Sequence, residues 1–213
     1  MSILNKNQKI SHMGDKRSFL YNLLNYPLLF NTLRSILDGG QVVYLKRLLE
    51  SRGVESVLDL GCGCGFFSGI TNGRYLGVDY NPRFIDYSKK KFGSGRTHFE
   101  LGDATVFRPE ERYDTSIVIN SIHHFSDEET VSILKNMREA TDRIVVIHDL
   151  VPLKNIISRF FYKIDRGRFI RTVEQQKRLI SLAGLKISEI HFFRHFPWIY
   201  SHATILSTPH QGE

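Results

Sequence analysis

The spacing of hydrophobic positions changes along the chain, and the changes divide it into elements. Phe19, Leu20, Leu23 and Leu24, then Leu29, Leu33, Ile36 and Leu37 beyond Pro27, predict two short amphipathic helices broken at Asn25-Tyr26-Pro27. Gly39-Gly40 ends the second, and Val42, Leu45, Leu48 and Leu49 mark a third helix over 41–51. Over 54–60 the pattern becomes a short continuous apolar run closing on a glycine-rich turn, as in a buried parallel strand that hands over to a helix. Strand-like runs follow at 75–79, 97–101, 115–120 and 143–148, with helical patterns at 82–92, 127–140 and 172–183. The runs 185–194 and 199–206, on either side of Pro197, predict a closing antiparallel pair. This alternation predicts an α/β fold. Its sheet is doubly wound, mostly parallel, of about seven strands with the last antiparallel, and carries helices on both faces.

A chain of 213 residues fits one such domain and leaves little for a second core. Its 41% hydrophobic and 24% charged residues exclude a disordered, collagenous or coiled-coil chain. No apolar run reaches the ~20 residues that span a bilayer, and 1–16 lacks the apolar stretch of a secretory leader. Ser11-His12-Met13 reads as a tag remnant, and 1–13 are given no role. The two cysteines, Cys62 and Cys64, are separated by one glycine, too tight for a disulfide or a four-ligand zinc site. A reducing, cytoplasmic setting is expected. Charge is unevenly placed: +4 over 1–50, −3 over 51–150 and +6 over 151–213. An acidic middle suits a neutral or cationic ligand, and basic flanks suit an anion or an anionic surface.

The candidate chemistry sits at the first strand-to-helix bend, Asp59-Leu60-Gly61-Cys62-Gly63-Cys64-Gly65, where glycines let the backbone approach a ligand that side chains would exclude. A dinucleotide fingerprint would place its third glycine at Phe66, and a Walker-type loop would end in Gly-Lys-Ser/Thr; neither is present. The run instead resembles motif I of the class I, Rossmann-like S-adenosylmethionine-dependent methyltransferases. Further motifs fall in register: Gly77-Val78-Asp79 closes the second strand, Gly102-Asp103-Ala104 follows the third, and Tyr113-Asp114 leads through Asn120 into Ser121-Ile122-His123-His124-Phe125. The resemblance covers about 41–150.

The resemblance implies S-adenosyl-L-methionine as cofactor and S-adenosyl-L-homocysteine as product. It places Asp59, Gly61, Cys62, Gly63, Gly65, Asp79, Tyr80, Asp103, Ala104 and Asn120 around the cofactor. Asp79 at a strand's carboxyl end accepts the ribose hydroxyls, Asp103 the adenine amine, and Asp59 faces the methionine end. It also implies one methyltransferase domain over 1–213: an N-terminal helical lid at 14–40, a cofactor-binding part at 41–150, a further lid segment at 151–171, and a closing helix and strands at 172–208.

Methyl transfer from a sulfonium is an in-line displacement that needs alignment, and a base only where the acceptor carries a proton. Strand carboxyl ends offer His123, His124, His148 and Asp149. The same histidines and Asp149 also read as satisfied pocket-wall groups, and both readings stand here. No spacing supports a metal. Tyr21, Tyr26 and Phe30 are the candidate acceptor contacts in the first lid, and Arg166, Arg168 and Arg171 in the second. Leu153, Ile156, Ile157, Phe160, Phe161 and Ile164 give an apolar helical stripe between them. Either it packs on the core, or it meets a greasy acceptor or lipid surface.

The expected reaction is methylation of an O, N or C atom of a small apolar or amphiphilic molecule of quinone, glycolipid or secondary-metabolite type, with contact to a membrane or lipid substrate. Two alternatives remain at this point: an RNA or protein methyltransferase, favoured by the basic termini, and a non-catalytic cofactor-binding scaffold or sensor. Against nucleic acid, the strand-four end lacks an Asn/Asp-Pro-Pro-Tyr/Phe run and no RNA-binding domain is appended.

Overall fold

The computed structural model describes residues 40–153, 168–195 and 200–209. The lid at 14–39, most of the segment at 151–171, and with them Tyr21, Tyr26, Phe30, Arg166 and the stripe from Ile156 to Ile164, lie outside the described residues. A helix over 40–50 (α1) leads into β1 (Ser56–Leu60), a single 3-10 turn at Ser68–Ile70, and β2 (Arg74–Asp79). Then come α2 (Pro82–Phe92), β3 (Thr97–Leu101), β4 (Tyr113–Ile119), a 3-10 turn at Ile122–His124, α3 (Asp127–Ala140) and β5 (Thr141–Leu150). The chain closes with α4 (Val173–Leu182), β6 (Leu185–His195) and β7 (Tyr200–Pro209). The seven strands form one sheet in the order β3-β2-β1-β4-β5-β7-β6, the first five parallel and β7 antiparallel to both its neighbours.

The helices begin where short polar side chains satisfy the orphan N–H groups of a first turn. Ser126 and Glu129 form a reciprocal capping box at α3, and Thr172 and Gln175 repeat it at α4. Asn81 caps α2 ahead of Pro82, while Lys89, Lys90 and Lys91 sit where the helix dipole favours cations.

Strand alternation sorts the core into two layers. Leu58, Leu60, Val118, Val145 and Ile147 pack with Ile133, Leu134 and Met137 of α3 and Leu179 and Ile180 of α4. Val57, Ile117, Ile119 and Val146 pack with Leu45 and Leu49 of α1, Ile70, and Ile85 of α2. Ligand sites of an open α/β sheet lie at the carboxyl ends of the strands, where the order reverses between β1 and β4.

One expected element is absent. Only eight residues separate Gly65 from Arg74, including Gly69, Thr71 and Gly73, and they make a single 3-10 turn where a full helix was predicted after β1. The short path suffices because Gly73 passes close to the Glu55 carbonyl; a Cβ there would lie 1.9 Å from it.

Candidate active site

The loop after β1 is shaped by contacts only glycine permits. Gly61 and Gly65 have φ of +86° and +73°; a Cβ on Gly61 would lie 2.4 Å from Ser121 Oγ, and one on Gly65 would strike the Phe99 ring at 2.9 Å. Gly63, at φ +54°, has nothing within 4 Å of a Cβ position, so the loop is open on that side. Asp79 braces this loop from β2: Oδ2 accepts the Gly63 N–H and Oδ1 the Asn81 N–H, both at 2.9 Å. Burial raises its pKa above the ordinary carboxylate value, against the lowering pull of the Asn81, Gly63 and Tyr80 N–H groups. Tyr80 beside it is 68% exposed.

Asp59 is buried and accepts a 2.6 Å hydrogen bond from the Tyr75 hydroxyl, a partner the sequence motif did not reveal. Cys62 is a buried thiol whose pKa is pushed well up by burial and then by Asp59 and Asp79. It is a loop-packing residue against Gly77, not a nucleophile. At the end of β3, Asp103 is exposed; its Oδ1 accepts from the N–H of Thr105 at 2.9 Å and its hydroxyl at 2.6 Å. Buried Ala104 gives its carbonyl to Asn136 Nδ2.

Asn120, just past β4, is the only non-glycine residue with positive φ among the described residues, at 48°. Its N–H donates to the His148 carbonyl and its Nδ2 to Gln41 Oε1 at 3.0 Å, while Oδ1 is buried without a donor.

The four candidate bases separate into two groups. His123 is 1% exposed; its N–H and ring Nδ1 bond to the two oxygens of buried Asp149. Burial pushes the Asp149 carboxyl up, but the His123 charge and hydrogen bond, the Leu150 N–H and the His202 charge outweigh it and leave the pKa lowered. His124 is exposed and lies over His123, ring centroids 4.2 Å apart. His148 is fully buried, bonded to Thr204 Oγ1 at 2.8 Å and Gln41 Oε1 at 3.0 Å. Burial, against Asp149, lowers its pKa to about 4. His148 and Asp149, neighbours in sequence, thus bond to different partners.

Arg171 also departs from expectation. It is 5% exposed, with its guanidinium spread over the Ile122 and Phe125 carbonyls and Asp127 Oδ1. It clamps the turn bearing His123 and His124 to the start of α3, which leaves no fork for an acceptor. Arg168 is exposed beside Phe169, whose N–H donates to the His123 carbonyl. A shallow groove of about 600 Å³ at Glu55, Thr71, Asn72, Arg74 and Arg96 opens at the opposite, amino-terminal end of β1 and β2, away from this chemistry.

A methyltransferase-domain family model matches residues 57–143, from inside β1 through the glycine loop, Asp79, Asp103, Asn120 and the histidine turn into β5. Residues 57–143 therefore match a methyltransferase domain, and the chain has the fold of the class I S-adenosylmethionine-dependent methyltransferases. Among curated relatives is a malonyl-[acyl-carrier protein] O-methyltransferase of Acetivibrio thermocellus, 26% identical over 102 residues. The match takes in 46% of this chain and 32% of that relative, so the chain aligns with about a third of its length. In fold it is similar to a magnesium protoporphyrin IX methyltransferase of Synechocystis PCC 6803 solved with bound S-adenosylhomocysteine. That likeness has a TM-score of 0.64 at 16% identity and covers 97% of this chain and 95% of the other. An O-methyltransferase family protein of Burkholderia thailandensis superposes with a TM-score of 0.71 at 15% identity, over 88% of this chain and 60% of that chain. No helix among the described residues is long and apolar enough to cross a membrane.

Proposed function

We propose that this methyltransferase binds S-adenosyl-L-methionine across the carboxyl ends of β1, β2, β3 and β4 and methylates an O, N or C atom of a small apolar or amphiphilic acceptor. One observation carries the cofactor assignment. The open side of the loop at Gly63, the buried Asp79 carboxylate and the orphaned Asn120 Oδ1 sit on one reversal of the sheet. A desolvated carboxylate and a donorless carbonyl are costly until hydroxyl and ammonium groups reach them. The bound cofactor supplies an electrophilic methyl on a positively charged sulfur.

This chain's residues would do the rest. Asp79 accepts from the ribose hydroxyls, Asp103 Oδ2 and the Ala104 N–H hold the adenine edge, and Tyr80 covers it. Asp59, fixed by Tyr75, contributes negative charge toward the methionine end. His124 takes the proton of a hydroxyl or amine acceptor, steadied by the His123–Asp149 pair beneath. The segments 14–40 and 151–171, with Tyr21, Tyr26, Phe30, Arg166 and Arg168, form the lid that excludes water. The relatives' names, magnesium protoporphyrin IX and a malonyl carrier conjugate, support an acceptor other than nucleic acid.

The test uses cofactor with a labelled methyl and offers the protein a lipid extract, RNA and total protein in parallel. Label in the organic extract, reduced about 100-fold by His124→Ala, is expected; label in RNA instead overturns the acceptor class.

A further inference from the structure

Gln41 belongs to no motif, yet it is buried, at 1% exposure. It lies in α1, against the carboxyl ends of β4 and β5 and the amino-terminal half of the paired β7. Its Oε1 takes two hydrogen bonds, from Asn120 Nδ2 and His148 Nε2, each at 3.0 Å, and its amide nitrogen lies 3.5 Å from His202 Nε2.

The surrounding groups decide which way these amides turn. Burial holds His148 neutral near pH 7, so one ring nitrogen donates and the other accepts. Asn120 Nδ2 donates to Gln41 Oε1, so the same oxygen faces His148 Nε2; the ring proton then sits on Nε2, and Nδ1 accepts from the Thr204 hydroxyl. Tyr44 and Phe193, rings 5.0 Å apart, and the stack of His148 on His202 at 4.9 Å and 2° wall the cluster.

Two consequences meet at Asn120. Its backbone is held at φ 48°, next to the Ser121 side chain that crowds Gly61. Its Oδ1 is left over, inside a residue 7% exposed, with no donor. A buried amide oxygen fixed in direction, beside a loop that holds an amino-acid-bearing ligand, is an acceptor for an ammonium group.

We propose that Gln41 is a positioning residue for the methyl donor: by holding Asn120 Nδ2 it orients Asn120 Oδ1 to accept from the ammonium of the methionine end. This rests on the S-adenosylmethionine reading above. Gln41 touches no ligand itself; it acts through Asn120. Because the bond concerns the amino-acid end alone, a ligand lacking that end should not feel its loss.

Calorimetric titration with S-adenosylmethionine and with 5′-methylthioadenosine, which keeps the nucleoside and thioether but has no ammonium, tests this. Gln41→Leu should weaken S-adenosylmethionine about tenfold and methylthioadenosine less than twofold. Gln41→Glu, which keeps an acceptor for Asn120 and His148, should stay within about threefold of wild type for both. Adding Gln41→Leu to Asn120→Gly should cost nothing further, since both changes remove one interaction. If Gln41→Leu does not fold, Gln41→Ala, which leaves room for water, shows the same split between ligands. Parallel weakening of both ligands, unchanged S-adenosylmethionine affinity, or additive losses in the double variant would overturn the role of Gln41. Failure of the wild-type protein to bind S-adenosylmethionine would sink the cofactor reading, and the inference with it.

Discussion

His148 and Asp149 are consecutive on β5, yet strand alternation turns them to opposite faces of the sheet, and the two faces treat an ionisable group differently. On the α1 face, His148 has only neutral bonding partners, Gln41 and Thr204, in an aromatic enclosure. It keeps a single ring proton. On the α3 face, Asp149 meets a histidine and two backbone N–H groups, and its charge is stabilised despite complete burial. The side bearing His123 and exposed His124 thus holds a buried charge, whereas the other side is built from uncharged hydrogen bonds to His148.

The largest effect should come from breaking the charged side. Asp149→Ala strips His123 of its carboxylate and leaves the Leu150 N–H unpaired, and denaturant titration at pH 7 should show a loss of about 3–5 kcal/mol. Asp149 has a lowered folded pKa, so its contribution is present above its unfolded value and fades as pH falls through the folded one, below about 3.8.

The neutral side has its own acid sensitivity at higher pH. His148 protonates near 6.5 when unfolded but only at about 4 when folded, so between these values the unfolded chain binds more protons. Stability therefore falls as pH drops from 6.5 to about 4, by about 3 kcal/mol at most. His148→Gln should flatten this stretch of the stability profile while leaving the limb below pH 4 in place. An unchanged profile in that variant would erase the distinction between the faces.

Much of the scaffold was legible because its signals are local. The polar caps at Ser126 and Thr172, Asn81-Pro82, and the switch from period 3.6 to buried runs fixed α2, α3, α4 and every strand to within a few residues. The glycine loop was legible as a motif, but the missing helix after it was not, although the eight residues before Arg74 hold too many glycine and β-branched positions for one. Strand alternation would have separated His148 from Asp149 had it been applied at the strand end. Arg171 read as an anion fork because a guanidinium's carbonyl partners leave no trace in sequence. Gln41, Thr204 and His202 were invisible for the same reason: polar groups up to 161 residues apart carry no pattern.

The central claim, that the crevice between β1, β2 and β4 holds S-adenosylmethionine, is tested most directly by calorimetry of wild type against Asp79→Ala. Saturable one-to-one binding by wild type, weakened at least tenfold in the variant, is the predicted result. Equal affinity in the two proteins, or heat from a nicotinamide dinucleotide but none from S-adenosylmethionine, would contradict it.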